Sequence, residues 1–432
     1  MKNPYYSGPV SDHFDGVRFF NPGQPTIDNS LGKFVRWKAA MGTARWPAQV
    51  PVNPSVPAPR HDRLHITMVG HATLLIQVAG INLLTDPVWS QRASPSQIAG
   101  PKRVTAPGVA FADVPPIDAV LLSHNHYDHF DIATLRKLHQ THRPLFVMPL
   151  GNDRLLRNSV ADARIATGDW HDRLPIGATA TVTLTRANHW SSRGVRDRRM
   201  ALWSGFFIET ARGSVWFAGD TGYGDGAIFR EIRARYGAPD VALIPIGAYA
   251  PRWFMAPQHI DPAEAVRIFQ DTGARHALGI HWGTFQLTDE GREEPREALS
   301  DALRQAGIAA ARFIAAEPGQ VFDFDDSAAY RAASVAPCQS MSSSMSMSKM
   351  PMVCIRRWRC TDRIRFVPGH AIATCPVPAL IHPRTRWRRS PWRRYRLRYR
   401  GPQATGDRKK TPPKRGHAVR LERIRRWTSR RC

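Results

Sequence analysis

The chain has 432 residues, ample for a large core, and a formal net charge of +26. That charge is concentrated: residues 331–432 hold 27 basic side chains against Asp362, Asp407 and Glu422, a net of +24, which leaves +2 for the first 330. The near-neutral body argues against a broad nucleic-acid track, and the lack of any run of about 18 apolar residues excludes a membrane-spanning helix.

All five cysteines, Cys338, Cys354, Cys360, Cys375 and Cys432, also fall in the basic segment, so the body has no disulfide to rely on. The first residues lack the apolar stretch of a secretory signal. A cytoplasmic protein, or one peripheral to the inner face of a membrane, is the expectation.

Residues 1–60 are rich in Pro, Gly, Asn and aromatics and form an arm, with a short helix predicted over 31–40. Pro47, Pro51, Pro54, Pro57 and Pro59 then forbid regular structure. Phe14, Phe19, Phe20, Phe34 and Trp37 offer apolar anchors, so the arm is expected to lie on the body. Residues 61–327 form the main domain. Short aliphatic strands are predicted at 66–69, 74–78 and 81–85, with Ala79-Gly80 as a hairpin turn. A long connection over 86–116 has the length of a functional loop. The strand at 119–122 is followed by a helix opening at the N-cap Asp131.

Further strands are predicted at 145–148, 179–186, 205–209, 214–218, 241–246, 276–280 and 320–324, and helices at 149–158, 225–236 and 295–306. A helix after Asp261, with Pro262 in its first turn and Glu264 reaching back, ends at Gly273. This pattern alone gives an α/β protein.

One stretch stands out: Ser123-His124-Asn125-His126-Tyr127-Asp128-His129, placed between a buried strand and a helix. Four potential ligands within six residues suit a borderline metal such as zinc on a rigid base. Alternation aims His124 and His126 the same way, while the turn re-aims Asp128 and His129, a geometry able to serve two ions.

The spacing resembles the signature of the metallo-β-lactamase superfamily. Gly70-His71-Ala72-Thr73, Leu84-Thr85-Asp86-Pro87, Arg92-Ala93-Ser94-Pro95, Gly219-Asp220-Thr221-Gly222-Tyr223, Pro245-Ile246-Gly247-Ala248-Tyr249, Pro251-Arg252-Trp253-Phe254-Met255 and His281-Trp282-Gly283-Thr284-Phe285 narrow the resemblance to the branch that hydrolyses N-acyl-phosphatidylethanolamine as a phospholipase D. That resemblance spans about residues 64–324. It implies an αββα sandwich, two packed mixed sheets between outer helices, with the metals at one edge.

By the same resemblance, one zinc ion would be held by His124, His126 and His189, the other by Asp128, His129 and His281, with Asp220 bridging. A hydroxide shared by the two ions would attack phosphorus, expel an N-acylethanolamine and leave phosphatidic acid. Asp128 could orient that hydroxide. His259 matches a substrate-contacting histidine and is a candidate for protonating the leaving group; Tyr127 matches another substrate contact. Arg252 and Trp253 set a cation beside apolar bulk, which suits a lipid with an anionic head. The expected partners are a phospholipid and a membrane surface, with a homodimer left open and nucleic acid disfavoured for the body.

Residues 328–432 form a tail with a Ser/Met repeat at 340–352 and interleaved Arg, Trp and Tyr, as in Trp392-Arg393-Arg394-Tyr395-Arg396. With few aliphatics it is expected to be disordered. Its composition fits an anionic membrane, nucleic acid, or translation past a shifted frame. Two alternatives to the phospholipase therefore stand: another hydrolase of the superfamily, such as a lactonase or sugar-phosphate hydrolase, and a nucleic-acid-binding protein acting through this tail.

Overall fold

The computed structural model describes residues 2–26, 31–39, 42–324 and 331–332. Apart from Arg331–Ala332, the basic tail lies outside the described residues, as does the side chain of Phe34.

The arm contributes α1 (Leu31–Ala39). The chain then lays down β1 (Leu64–Gly70), β2 (Thr73–Val78), β3 (Ile81–Thr85), β4 (Ala119–Leu121), α2 (Ile132–His142), β5 (Leu145–Pro149), α3 (Asn152–Arg157) and β6 (Arg164–Gly168). It continues with β7 (Arg173–Ile176), β8 (Ala180–Thr185), β9 (Gly205–Thr210), β10 (Gly213–Phe217), α4 (Ala227–Tyr236), β11 (Val241–Pro245), α5 (Arg252–Met255), α6 (Pro262–Thr272) and β12 (His276–Ile280). α7 (Glu294–Gln305), β13 (Phe313–Ala315), β14 (Val321–Phe324) and β15 (Arg331–Ala332) complete it.

The strands form two mixed sheets, ordered β15-β14-β1-β2-β3-β4-β5-β6 and β13-β12-β11-β10-β9-β8-β7. Alternation along each strand decides what lies between them. Leu74, Ile76 and Leu121 from the first sheet meet Val182, Leu184, Phe206, Ile208 and Leu243 from the second in one core. The residues of opposite parity, Leu75 and Val120, pack outward on Leu135 and Leu138 of α2. Phe207, Trp216 and Ile244 pack outward on Ile228 and Phe229 of α4 and on Ile268 of α6. The result is the expected αββα sandwich.

Local signals set the boundaries. Ala79 and Gly80, with φ of 50° and 74°, make the tight turn of the β2–β3 hairpin. Asp131 caps α2 by accepting from the Ala133 N–H, and Asp261 with Glu264 forms a complete capping box on α6. The strands absent from the sequence reading, β6, β7, β13 and β15, are all at or beside sheet edges. Edge strands alternate less clearly because one flank faces solvent, as the exposed Arg164 and Thr167 of β6 do. Among the described residues, no helix is long and apolar enough to cross a membrane.

The arm lies on the body at three places. Phe14 and Phe19 are fully buried against Trp170, Leu202 and Trp203, where each such ring contributes about 1.5–3 kcal/mol. Trp37 packs on Phe254 and Met255 and donates to Asp289 over 2.6 Å. The proline-rich strap is held by backbone bonds such as Val50 to Val104 and Ser55 to Gly108. It also satisfies two polar groups buried in the sheet, since Gln77 donates to the Ala58 carbonyl and Asn82 to that of Pro59.

A titratable latch reinforces the first contact. His13 Nδ1 lies 2.6 Å from Asp12 and Nε2 2.8 Å from Asp169, with the ring stacked on Trp170 at 4.5 Å. Burial disfavours the imidazolium, but Asp169 and Asp12 outweigh it and raise its pKa. A raised pKa in the folded state means that the stabilisation is complete below the ordinary histidine value and is lost as pH rises through the folded one. Hydrogen-exchange protection of residues 11–20 should therefore fall as pH is raised from 6 to 9, after correction for intrinsic exchange. In His13→Gln, protection should be lower and flat across that range; a pH dependence equal to that of the parent would refute the latch.

Candidate metal centre

Strand direction explains how residues far apart in sequence meet. In the first sheet β1, β3, β4 and β5 run one way and β2 the other; in the second, β8, β10, β11 and β12 run together against β9. The residues after β1, β4, β8, β10 and β12 thus emerge at common sheet edges. Those residues are His71, His124 to His129, His189, Asp220 and His281.

They form two adjoining groups. The first holds His124, His126, His189 and Asp220, the second His71, Asp128, His129 and His281. Within the first, Nδ1 of His126 lies 2.9 Å from Nε2 of His124 and 3.2 Å from Nε2 of His189. Asp220 Oδ2 is 3.8 Å from His124 Nε2 and 3.7 Å from His189 Nε2. It also lies 3.1 Å from His129 Nε2, while Asp220 Oδ1 is 3.2 Å from His281 Nε2, so this one carboxylate stands between the groups. In the second group, Nε2 of His129 and His281 are 3.1 Å apart and lie 3.5 and 3.3 Å from Asp128 Oδ2. All seven expected ligand positions are in these two groups.

The outer nitrogens decide what the inner ones can do. His189 Nδ1–H donates to the Gln258 carbonyl over 3.0 Å. Ser123 Oγ donates to Asp86 and accepts from His124 Nδ1, and His129 Nδ1–H donates to the same Asp86 over 2.6 Å. With their outer nitrogens committed as donors, the neutral rings of His124 and His189 present bare Nε2 lone pairs to the centre, and His129 turns its Nε2 the same way, free to coordinate once that nitrogen gives up its proton. Convergent lone pairs of this kind fit a cation. Asp220 Oδ1, buried without a hydrogen-bond partner, is a further lone-pair donor at the same place.

The electrostatics divide the two groups. Burial, reinforced by neighbouring histidines, holds His124 and His189 well below the usual imidazole range and brings His126 to about 4. Burial would also lower His129 and His281, but nearby carboxylates win and raise them, His281 to about 9. Asp128 and Asp220 are conversely held well below the carboxylate range, since those two histidines outweigh their desolvation.

The backbone is tight at these positions. His71, Asp86 and His281 adopt φ of 57°, 32° and 64°, where non-glycine residues are uncommon. Gly219, with φ of 62°, precedes Asp220; a Cβ there would meet the Ser204 carbonyl at 2.9 Å and Ser123 Cβ at 3.0 Å.

The other expected site residues sit around this centre. His259 places Nδ1 3.9 Å from Asp220 Oδ2, without a hydrogen-bond partner, and burial lowers its pKa to about 4. Tyr127 donates its hydroxyl to the Arg193 carbonyl, and the Arg193 guanidinium lies over its ring at 4.0 Å. Arg252 divides its fork among Glu264 at 2.6 Å, Asp261 at 3.3 Å and the His259 carbonyl at 2.8 Å. Trp253 is 49% exposed, with Arg36 5.1 Å from its ring.

Three groups have no role in the sequence reading. His71 and Asp86 appear there only inside motifs, and Gln258 only as the neighbour of His259. Gln258 links the expected ligand His189 to Trp190, whose indole N–H it accepts at 2.6 Å and whose ring meets His126 edge-on at 4.4 Å. The available signal for Asp86 was a lone carboxylate directly after an apolar strand. The arm also reaches the centre, since Asn21 donates to the His189 carbonyl over 3.0 Å.

Comparison with known proteins places this arrangement in context. A beta-lactamase superfamily domain model matches residues 81–282. N-acyl-phosphatidylethanolamine-hydrolyzing phospholipase D 1 of Caenorhabditis elegans is 35% identical over 273 residues, which is 61% of this chain and 76% of that one. The mitochondrial protein of that name from Saccharomyces cerevisiae is 34% identical over 60% of this chain and 56% of its own length. Among solved structures, an isothiocyanate hydrolase from Delia radicum gut bacteria aligns over 60% of this chain and 99% of its own, with TM-score 0.49 and 21% identity.

Asp86 gives a test that requires no substrate. Its carboxylate, fully buried, accepts from His129 Nδ1 and from both the backbone N–H and the hydroxyl of Ser123, so Asp86→Ala strands three buried donors. The expected loss is about 3 kcal/mol, read as a fall in the urea midpoint at unchanged m-value. A change below about 1 kcal/mol would show that the carboxylate does not organise these groups.

Proposed function

The chain belongs to the metallo-β-lactamase superfamily, in the branch of the N-acyl-phosphatidylethanolamine-hydrolysing phospholipases D, and is a metal-dependent hydrolase; from that premise we propose that it is a dinuclear zinc phosphodiesterase releasing N-acylethanolamine and phosphatidic acid from N-acyl-phosphatidylethanolamine. The observation that supports this most is the meeting of bare imidazole nitrogens with Asp220 between two ligand groups. A nitrogen-rich donor set with a shared carboxylate suits zinc.

On this reading His124, His126 and His189 would hold one ion, Asp128, His129 and His281 the other, and Asp220 would serve both. A bound pair of zinc ions supplies a nucleophile by acidifying water and a positive clamp for the phosphoryl oxygens. The chain's own groups do the rest. Water oxygen bonds to phosphorus as the bond from phosphorus to the ethanolamine oxygen breaks, and the proton that the water gives up balances the one the departing oxygen takes. His259, neutral in its buried position and close to Asp220, can relay it, accepting a proton at one ring nitrogen as it donates N–H to that oxygen from the other. Asp128 orients the attacking water.

The surroundings favour a lipid. Trp253 lies exposed beside Phe254 and Met255, with Arg36 over its face, an apolar rim with a cation for an anionic head group. Tyr127 adds a polar face, although its hydroxyl must turn from the Arg193 carbonyl to meet substrate. Arg252 acts through His259, whose carbonyl it holds.

Purified protein incubated with N-acyl-phosphatidylethanolamine in ¹⁸O-water should yield N-acylethanolamine without label and phosphatidic acid with one labelled phosphate oxygen, and a chelator should abolish both. Label in the alcohol, or turnover confined to lactones or sugar phosphates, would overturn the proposal. His259→Ala should lower turnover roughly 10²–10⁴-fold while metal content stays at the parent level. Unchanged turnover would remove His259 from the chemistry.

A further inference from the structure

The second ligand group contains one imidazole that the proposed ligand set does not use. His71, 1% exposed in the turn between β1 and β2, places Nε2 3.1 Å from Asp128 Oδ2, in hydrogen-bonding geometry and closer than either His281 at 3.3 Å or His129 at 3.5 Å. Resting on the two-ion reading above, we propose that His71 is a positioning residue that donates Nε2–H to Asp128 and thereby fixes this carboxylate for the second ion.

Three observations support it. First, Asp128 needs such a partner. It is the most exposed of the seven expected ligands in the two groups apart from His126, and it sits in a turn rather than in a strand, so its carboxylate can rotate unless something outside the ion holds it. Ligating carboxylates are ordinarily steadied by a hydrogen bond from outside the coordination sphere.

Second, His71 is itself built in. Its backbone N–H donates to Thr284 Oγ1 at 3.1 Å, its carbonyl accepts from the His281 N–H at 2.8 Å, and its ring lies 4.0 Å from that of His281 and edge-on to Phe285 at 5.3 Å. Both His71 and His281 occupy left-handed backbone conformations, so two unfavourable positions are locked against each other. A side chain held at that conformational cost serves the site better than a filler would.

Third, the second ion would need no further ligand from His71. Asp128, His129, His281 and the shared Asp220 would already give four protein donors, one more than a catalytic zinc ordinarily takes from its protein. His71 meets the same oxygen as His129 and His281, and its carbonyl, which accepts from the His281 N–H, joins the first sheet's turn to the loop after β12. Through it, the two sheets set the angle of one carboxylate.

The test compares His71→Ala and His71→Gln, the latter keeping an N–H donor at similar reach, with the full-length parent. Metal per chain is measured by elemental analysis after equilibration in graded concentrations of a chelator, and each protein is also loaded with two equivalents of cobalt(II). The parent should hold two ions. His71→Ala should keep the first, which also reports that the fold survives, and release the second at roughly 10–100-fold lower chelator. His71→Gln should recover much of that difference. Fully loaded His71→Ala should show parental cobalt ligand-field bands, since no ligand is lost.

Retention of the second ion by His71→Ala at parental chelator concentrations would overturn the inference, as would no recovery in His71→Gln. Altered bands in the fully loaded Ala variant would overturn it in another way, by making His71 a ligand. A parent that binds fewer than two ions would instead remove the two-ion reading and this inference with it.

Discussion

The structure depends on holding lone pairs and charges of the same kind together in a place that water cannot relieve. Without a cation between them, the single Nδ1–H of His126 can satisfy only one of the bare nitrogens of His124 and His189 fully, and burial penalises protonating the others. Only a rigid frame keeps such groups at 3 Å. The frame consists of strand ends in two sheets whose inner faces share one apolar core, so none of the ligand loops can retreat without opening that core.

The second group balances differently. There the carboxylates of Asp220, Asp128 and Asp86 surround His129 and favour its protonated form, and a cation bound among them would take over that role. The two halves of the centre therefore have opposite electrostatic characters, one a nest of neutral rings and the other a cluster of ion pairs. Asp220 belongs to both, which makes its position after β10, secured by Gly219 against Ser123, the most constrained in the centre.

Much of this was legible in the sequence because density is a strong signal. His124, His126, Asp128 and His129 lie within six residues, directly after an apolar strand, and few structural demands produce that pattern. The interior strands and capped helices were legible for the same reason: β11, β12 and α6 have apolar runs or paired caps that local chemistry alone explains. β6, β7 and β13 were not, because edge strands and three-residue strands have too little alternation to read. His71, Asp86 and Gln258 were hidden for another reason. Each is a single polar residue, and its meaning comes from register, which brings His71 beside a carboxylate 57 positions away. Arg252 is the converse case. Its charge was visible, but its partners Asp261 and Glu264 lie in the next helix and fill the fork that a substrate would otherwise meet.

That arrangement links recognition to chemistry. The capping box at the start of α6 fixes Glu264, Glu264 and Asp261 hold Arg252, and Arg252 holds the His259 carbonyl. Trp253, next in sequence to Arg252, stands at the rim with Arg36 of the arm over it, while Trp37 of the same helix packs on Phe254. The arm, the rim and His259, whose Nδ1 is 3.9 Å from Asp220, are therefore joined by direct contacts. A group pressing on Trp253 at the surface acts on a segment whose other end is His259, and Asn21 ties an earlier part of the arm to the His189 carbonyl. An extension that holds none of the seven expected ligands thus bears on the centre from two directions, which is a physical reason for a proline-rich arm to be so closely bonded to the sandwich it covers.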